Sequence, residues 1–352
     1  MRTTKPAPAP HEGSSTRALR GATALGLAML LLGCGIREHN VPEDRRSDPG
    51  PGGSGGDPEG GKGAGGDEAG GEGGNEGSGE GAGGEAGADA APEPPAVEGI
   101  DIAGTRVPRE KAIVILHIGH SNMLGHGRTP QSLREYFFTA QPRLWIYNNE
   151  GEFEPATEPT SSWGRSRSSA GPGMGLLRAA AALAPEDTHF ISVGLGVGSA
   201  TTLHWSKGGP HYERVVNLAT ELKGRVTFGA AVVMLGITDR HMPLAQQPGF
   251  AERVTEIAAD LRADLETPDL PILHTDYEME STGDLAPDSE VGLRFRPLIL
   301  MLPELIDRCA IVPTDGLGMQ DDHHFDMAGQ KEWADRTMRI LVDKGWAPWP
   351  TP

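Results

Sequence analysis

Cysteine is nearly absent from this chain, with only Cys34 and Cys309 among 352 residues. There is no Cys-x-x-Cys pair and no His-Glu-x-x-His segment to seat a zinc ion, and no Gly-x-x-x-x-Gly-Lys-[Ser/Thr] loop to cradle phosphates. No cofactor is therefore expected. Basic residues are also scarce, 31 Lys and Arg against 49 Asp and Glu, for a net charge of −18. No basic stripe appears anywhere, which argues against nucleic acid as a partner. No apolar run approaches the roughly 20 residues that span a bilayer. No internal repeat is visible, and core residues are sparse until Ile100.

What is present falls into three parts. Residues 1–33 carry Arg2, Lys5, Arg17 and Arg20 ahead of "GATALGLAMLLLGCG", the layout of a signal peptide with its short apolar core. The run ends in Leu31-Leu32-Gly33-Cys34, which resembles a bacterial lipobox and implies that Cys34 is a lipidated first residue. An ordinary secretory signal is the alternative. Gly35 stands where an aspartate would signal inner-membrane retention, so the expected location is the cell envelope, lipid-anchored, with the outer membrane favoured. Residues 34–98 are dominated by Gly, Glu, Asp, Pro and Ala. From 41 to 98 there are 14 acidic and 3 basic residues, so most of the net charge lies there. Glycine and like charge both oppose burial, and a disordered tether is expected.

Residues 99–352 read as one α/β domain. The stretches 112–119, 144–148, 189–197, 227–235, 270–275 and 308–312 are continuous apolar runs, as in parallel strands covered on both faces. Between them lie helical patterns. Tyr212, Val215, Val216, Ala219 and Leu222 form one stripe; Phe250, Val254, Ile257, Ala258, Leu261 and Leu265 form another. A last helix is expected over about 328–343. This alternation predicts a flavodoxin-like three-layer α/β/α domain with a mostly parallel sheet. Cys309, in a strand-like run, reads as a small buried residue. Ligands are expected beyond the carboxyl ends of the strands.

Several polar residues cluster at such ends. Ser121 follows the first strand in "GHSNMLGHG", where its hydroxyl could act as a nucleophile or merely cap the next helix. Met123 breaks the Gly-x-Ser-x-Gly elbow pattern. "DDHHFDMAGQ" (321–330) brings a carboxylate and an imidazole close together at Asp321 and His324, with Asp322 and His323 as neighbouring competitors. The same cluster could instead hold a metal or cap the last helix. "GLGVGSATTLHW" (194–205) offers backbone N–H groups, and "VVMLGITDR" (232–240) ends in Thr238, Asp239 and Arg240.

Taken in chain order, these blocks resemble the SGNH-type hydrolases, in the sialate O-acetylesterase-like branch that includes carbohydrate acetylesterases. "GHSNMLGHG" matches a Gly-Gln-Ser-Asn-Met-x-Gly block with His120 in the glutamine's place. "GPGMGLLRAAAAL", "VGSATTLHW" and "DDHHFDMAGQ" resemble the later blocks. The resemblance implies Ser121 as nucleophile, His324 as general base and Asp321 as its orienting partner. It implies the N–H groups of Ser121 and Gly198 as oxyanion donors; no metal is expected, because no His-Glu-x-x-His or Cys-x-x-Cys partner supports one. Where members usually carry Gln-Gly-Glu-x-Asp, this chain has Leu235-Gly236-Ile237-Thr238-Asp239. Losing one oxyanion donor costs on the order of 3 kcal/mol. Asn122 or Thr238 is the expected substitute, and His120, Trp205 and Thr238 are expected at the substrate.

The implied activity is a serine esterase removing acetyl groups from O-acetylated carbohydrates, tethered to a membrane through Cys34. The alternatives are a non-catalytic glycan-binding lipoprotein that keeps the fold, and a short-chain lipid esterase.

Overall fold

The computed structural model describes residues 98–160, 169–276 and 289–351. Cys34, the expected signal segment and the expected tether lie outside the described residues, apart from Glu98 at the tether's end. The described part begins with a hairpin, β1 (Gly99–Ile102) and β2 (Thr105–Pro108), turned through Ala103 and Gly104 at positive φ. Such a two-residue turn matches the twist of antiparallel strands. Next come β3 (Ala112–Gly119), α1 (Ser121–Leu124), α2 (Arg134–Phe138), β4 (Leu144–Tyr147) and β5 (Phe153–Pro155). They are followed by α3 (Gly173–Ala182), β6 (His189–Gly196), α4 (Thr202–Trp205), α5 (Pro210–Glu221) and β7 (Thr227–Met234). The remaining elements are α6 (Phe250–Asp264), β8 (Ile272–Thr275), α7 (Glu290–Leu300), α8 (Leu302–Leu305), β9 (Cys309–Val312) and α9 (Met327–Asp343).

Seven strands form one sheet in the order β5-β4-β6-β3-β7-β8-β9, parallel throughout except that β5 runs against β4. Within it, β6-β3-β7-β8-β9 has the 2-1-3-4-5 order of flavodoxin-like folds, and β4 with β5 widens the β6 edge. Pro155 is tolerated on β5 because that strand is an edge.

The helices cover both faces. α3 packs on α9, and α5 on α6. The stripe expected on α6 is buried at every position, from Phe250 to Leu265. Burying each such side chain is worth about 1.5–3 kcal/mol. β3 is buried along its whole length between β6 and β7, so its end is fixed from two sides. There Val197 N–H donates to Gly119 O, and His120 N–H to Met234 O. The strand order reverses at β3, so β6 and β7 flank it and the crevice expected at such a point opens above it. Cys309 is a buried free thiol whose pKa burial pushes up to about 12, leaving it inert near neutrality.

Candidate active site

Ser121 is the first residue of α1, and the residue capping that helix is His120, whose Nδ1 accepts the Asn122 N–H at 3.3 Å. The serine hydroxyl is thus free for another partner. Its Oγ lies 2.9 Å from His324 Nε2. His324 Nδ1 in turn sits 3.0 and 2.9 Å from the two carboxylate oxygens of Asp321. Asp321 also accepts the backbone N–H groups of His323 and His324. Partial burial works to raise its pKa, but the His324 ring, these N–H donors and the His324 charge outweigh it and hold the carboxyl below its usual range. The competition between Asp321 and Asp322 is thereby answered: Asp321 contacts the ring.

The loop carrying this pair is held by the helix that carries the serine. Asn122 Nδ2 donates to His323 O at 2.9 Å, its Oδ1 accepts from Phe325 N at 3.0 Å, and Gln330 Nε2 donates to Asn122 O at 3.0 Å. Gly329 lets α9 approach the loop: a Cβ there would meet Gly318 O at 2.2 Å. Gly196 serves the other side, since a Cβ would lie 2.0 Å from Leu124 N.

Ser121 and His324 line a cleft of about 560 Å³, together with His126, Gly198, Ser199, Ile237, Thr238, Arg240, His241 and His323. Among the described residues, neither the Ser121 nor the Gly198 N–H donates a hydrogen bond, and the Thr238 hydroxyl makes none. The Gly198 turn is anchored from below. Asp239, wholly buried, accepts the Thr202 N–H at 3.0 Å and the Thr202 hydroxyl, and pairs with Arg253 at 3.6 Å. Burial pushes the Asp239 pKa up despite these partners. A second cavity, of about 360 Å³, opens at the amino-terminal ends of the strands beside Arg109, Lys223 and Asp269, and no histidine or serine lines it.

Three expected assignments do not fit this geometry. Asn122, expected as an oxyanion donor, has its amide committed to the His323–Phe325 backbone and does not line the cleft. His120 is buried beneath the site, where burial first and the charge of His324 next push its pKa down to about 3, so it is a neutral ring away from substrate. Trp205 is fully buried, its ring tilted at 57° to that of His211 with centroids 5.5 Å apart. Both were expected at the substrate because aromatic and polar residues beside a motif are easily read as binding groups; burial decides otherwise.

Other residues had no clear signal in sequence. His126 lies face to face with His324, ring centroids 4.0 Å apart and planes 10° apart. Its own pKa is lowered, by burial first and by the His324 charge second. Glu158 is buried, and its carboxylate takes the N–H groups of Met174, Gly171 and Thr160 at 2.7, 3.1 and 3.1 Å. It thereby fixes the start of α3 beside Ala170, which exchanges backbone hydrogen bonds with Gly127 next to His126. Nothing in the sequence around Glu158 hints at this, because its partners are backbone groups.

A hydroxyl, an imidazole and a carboxylate in series, beside unengaged backbone N–H groups, can support nucleophilic acyl transfer. Comparison with known proteins agrees with that chemistry. Residues 111–343 match the family model described as carbohydrate esterase, sialic acid-specific acetylesterase. Among solved structures, an Arabidopsis thaliana protein superposes with a TM-score of 0.55 at 19% identity, covering 66% of this chain and 98% of that one. A structure titled NanS gives a TM-score of 0.52 at 13% identity, covering 67% and 98%. Both are likenesses of fold. No curated protein matches the sequence. With the family model spanning the whole sheet and its cleft, the chain belongs to the carbohydrate esterase family of sialic acid-specific acetylesterases, and is a carboxylic ester hydrolase.

Proposed function

We propose that this protein is a serine esterase that removes acetyl groups from O-acetylated carbohydrates through an acyl-enzyme on Ser121. The observation that carries the reading is the chain of contacts from Ser121 Oγ through His324 to Asp321, each at about 2.9 Å. His324 Nε2 takes the hydroxyl proton as Oγ attacks the acetyl carbonyl, and Asp321 holds the ring and stabilises the imidazolium. The N–H groups of Ser121 and Gly198 receive the oxyanion, and the Thr238 hydroxyl faces the bound ester. The imidazolium then protonates the departing sugar oxygen. A water deprotonated by the same His324 releases acetate.

The apolar Leu235 and Ile237 leave the oxyanion with backbone donors, which fits an enzyme slower than relatives that carry an amide there. The leader and acidic tether fit display from a membrane through a lipid on Cys34, with the hydrolase reaching glycans at a distance.

The test is acetate release from O-acetylated oligosaccharides, alongside 4-nitrophenyl esters of rising acyl length, by the wild type and by Ser121→Ala. Loss in the variant and a preference for acetate are expected. Equal rates in the two proteins would remove Ser121 from the chemistry, and a preference for long acyl chains would make it a lipid esterase. A fluorophosphonate that fails to label the wild type would leave glycan binding without catalysis.

A further inference from the structure

His323 supplies an imidazole that the Ser121–His324–Asp321 chain does not use. Its Nδ1 lies 3.8 Å from Asp321 Oδ1, while His324 Nδ1 lies 2.9 Å from Asp321 Oδ2. One ligand atom from each of the three residues falls within 4.8 Å of the others. Donors bound to one tetrahedral zinc at about 2.0–2.1 Å stand roughly 3.3 Å apart, and the two observed spacings bracket that value. Among the described residues no other group of three His, Cys, Asp or Glu side chains meets this condition.

The donors are also held in place before any ion arrives. Asp321 is fixed by the N–H groups of His323 and His324, the His323 carbonyl by Asn122, and the His324 carbonyl by Gln320 N–H. A site that needs little reorganisation binds at a smaller entropic cost. The Asp321 and His323 side chains are each 47% exposed, so an ion has access. Charges around the cleft act in both directions: Asp321 favours a cation, whereas Arg128 and Arg240 oppose it.

We propose that Asp321, His323 and His324 form an inhibitory site for a borderline-soft divalent cation such as Zn²⁺, distinct from any catalytic need for metal. The proposal rests on the esterase reading for its inhibitory consequence, though not for the binding itself. The ion takes His324 Nδ1, the atom that Asp321 holds as N–H. The Nδ1–H bond breaks and the ring's proton moves, by way of solvent, to Nε2, so the ring stays a neutral imidazole whose Nε2 no longer has a lone pair. A Zn–N bond forms, one Asp321 oxygen becomes a ligand, and no oxidation state changes. His324 is then unable to accept the serine proton with Asp321 behind it. Imidazole and carboxylate donors favour Zn²⁺ and Cu²⁺ over Mg²⁺ and Ca²⁺.

The experiment titrates Zn²⁺ into the tag-free full-length Ser121→Ala protein by calorimetry, in two buffers of different ionisation enthalpy. One ion per chain is expected, with less than one proton released, since the ring only changes tautomer. Affinity falls on the order of tenfold or more in Ser121→Ala/His323→Ala and in Ser121→Ala/Asp321→Asn. In parallel, micromolar Zn²⁺ inhibits hydrolysis of 4-nitrophenyl acetate by the wild type, a chelator restores it, and His323→Ala, compared with its own zinc-free rate, resists inhibition. Undiminished binding in the His323 variant, or no binding at all, overturns the proposal. Binding as expected in a protein with no esterase activity would keep the site and reject only the catalytic reading.

Discussion

On the wall of the cleft formed by α1 and the 319–326 loop, polar groups hold one another: Ser121 to His324, His324 to Asp321, and Asn122 to both His323 and Phe325. On the wall that follows β7, Leu235 and Ile237 are buried apolar residues, and the neighbouring Gly198 and Ser199 form an open turn anchored through Val197, Thr202 and Asp239. The proton-transfer side is over-determined, whereas the side that would receive developing negative charge has few donors. Efficiency in such a site is set by the sparser wall, because a well-oriented base cannot replace stabilisation of the oxyanion.

The comparison can be broken or sharpened by substitution. The largest effect is expected on the ordered wall: Ser121→Ala should lower kcat for 4-nitrophenyl acetate by roughly 10,000-fold or more, read by steady-state kinetics. Asp239→Ala should come next, removing the acceptor of Thr202 and the partner of Arg253. We expect a loss of about 3 kcal/mol by denaturant unfolding, with a fall in kcat as the Gly198 turn loosens. Asn122→Ala leaves His323 O and Phe325 N without their partner. About 2 kcal/mol of stability and on the order of tenfold in kcat should go, and a kcat equal to wild type would show that the loop holds itself.

A smaller effect concerns pH. His117, His120 and His274 are buried, and burial lowers their pKa values to about 4, 3 and 4. In the unfolded chain these rings protonate below about 6.5, while the fold keeps them neutral until near 4. The unfolded state therefore binds more protons in that window. Stability is highest above about 6.5 and falls as pH drops toward 4, by roughly 1.4 kcal/mol per pH unit for each ring. His120→Gln should make the slope shallower by about a third while leaving ester hydrolysis in place, which thermal unfolding across pH 4–7 can read. The smallest effect is expected at His126. His126→Ala should slow kcat several-fold by freeing the His324 ring, whereas His126→Phe, which keeps a stacked face, should stay within about twofold.

The strands β3, β6, β7, β8 and β9 were legible in the sequence because each is a short, uninterrupted apolar run, and burial on both faces demands that pattern. The α5 and α6 stripes were legible for the same reason. The hairpin β1–β2, the edge strand β5 and the helices α7 and α8 were not. β5 is three residues long, and α7 contains Pro297 within its span, a residue that reads as a breaker when its neighbours are unknown. Ser121, Asp321 and His324, which the structure brings into contact, were singled out through short blocks, and Gly198 and Thr238, which line the same cleft, through looser ones. His126 and Glu158 were not, since a ring stacked on a residue 198 positions away and a carboxylate bonded to backbone leave no local pattern.

By itself the sequence determined the fold class and singled out the serine and the Asp-x-x-His pair that the fold brings together, because apolar periodicity and motif blocks are local properties of the chain. Only the tertiary structure decided that Asp321 rather than Asp322 holds His324, that Asn122 is a clamp, and that His120 and Trp205 are buried. The Asn122 clamp spans about two hundred residues and burial is set by the whole fold, while the Asp321 choice depends on how the short 319–326 loop is bent; no string of neighbouring letters encodes either.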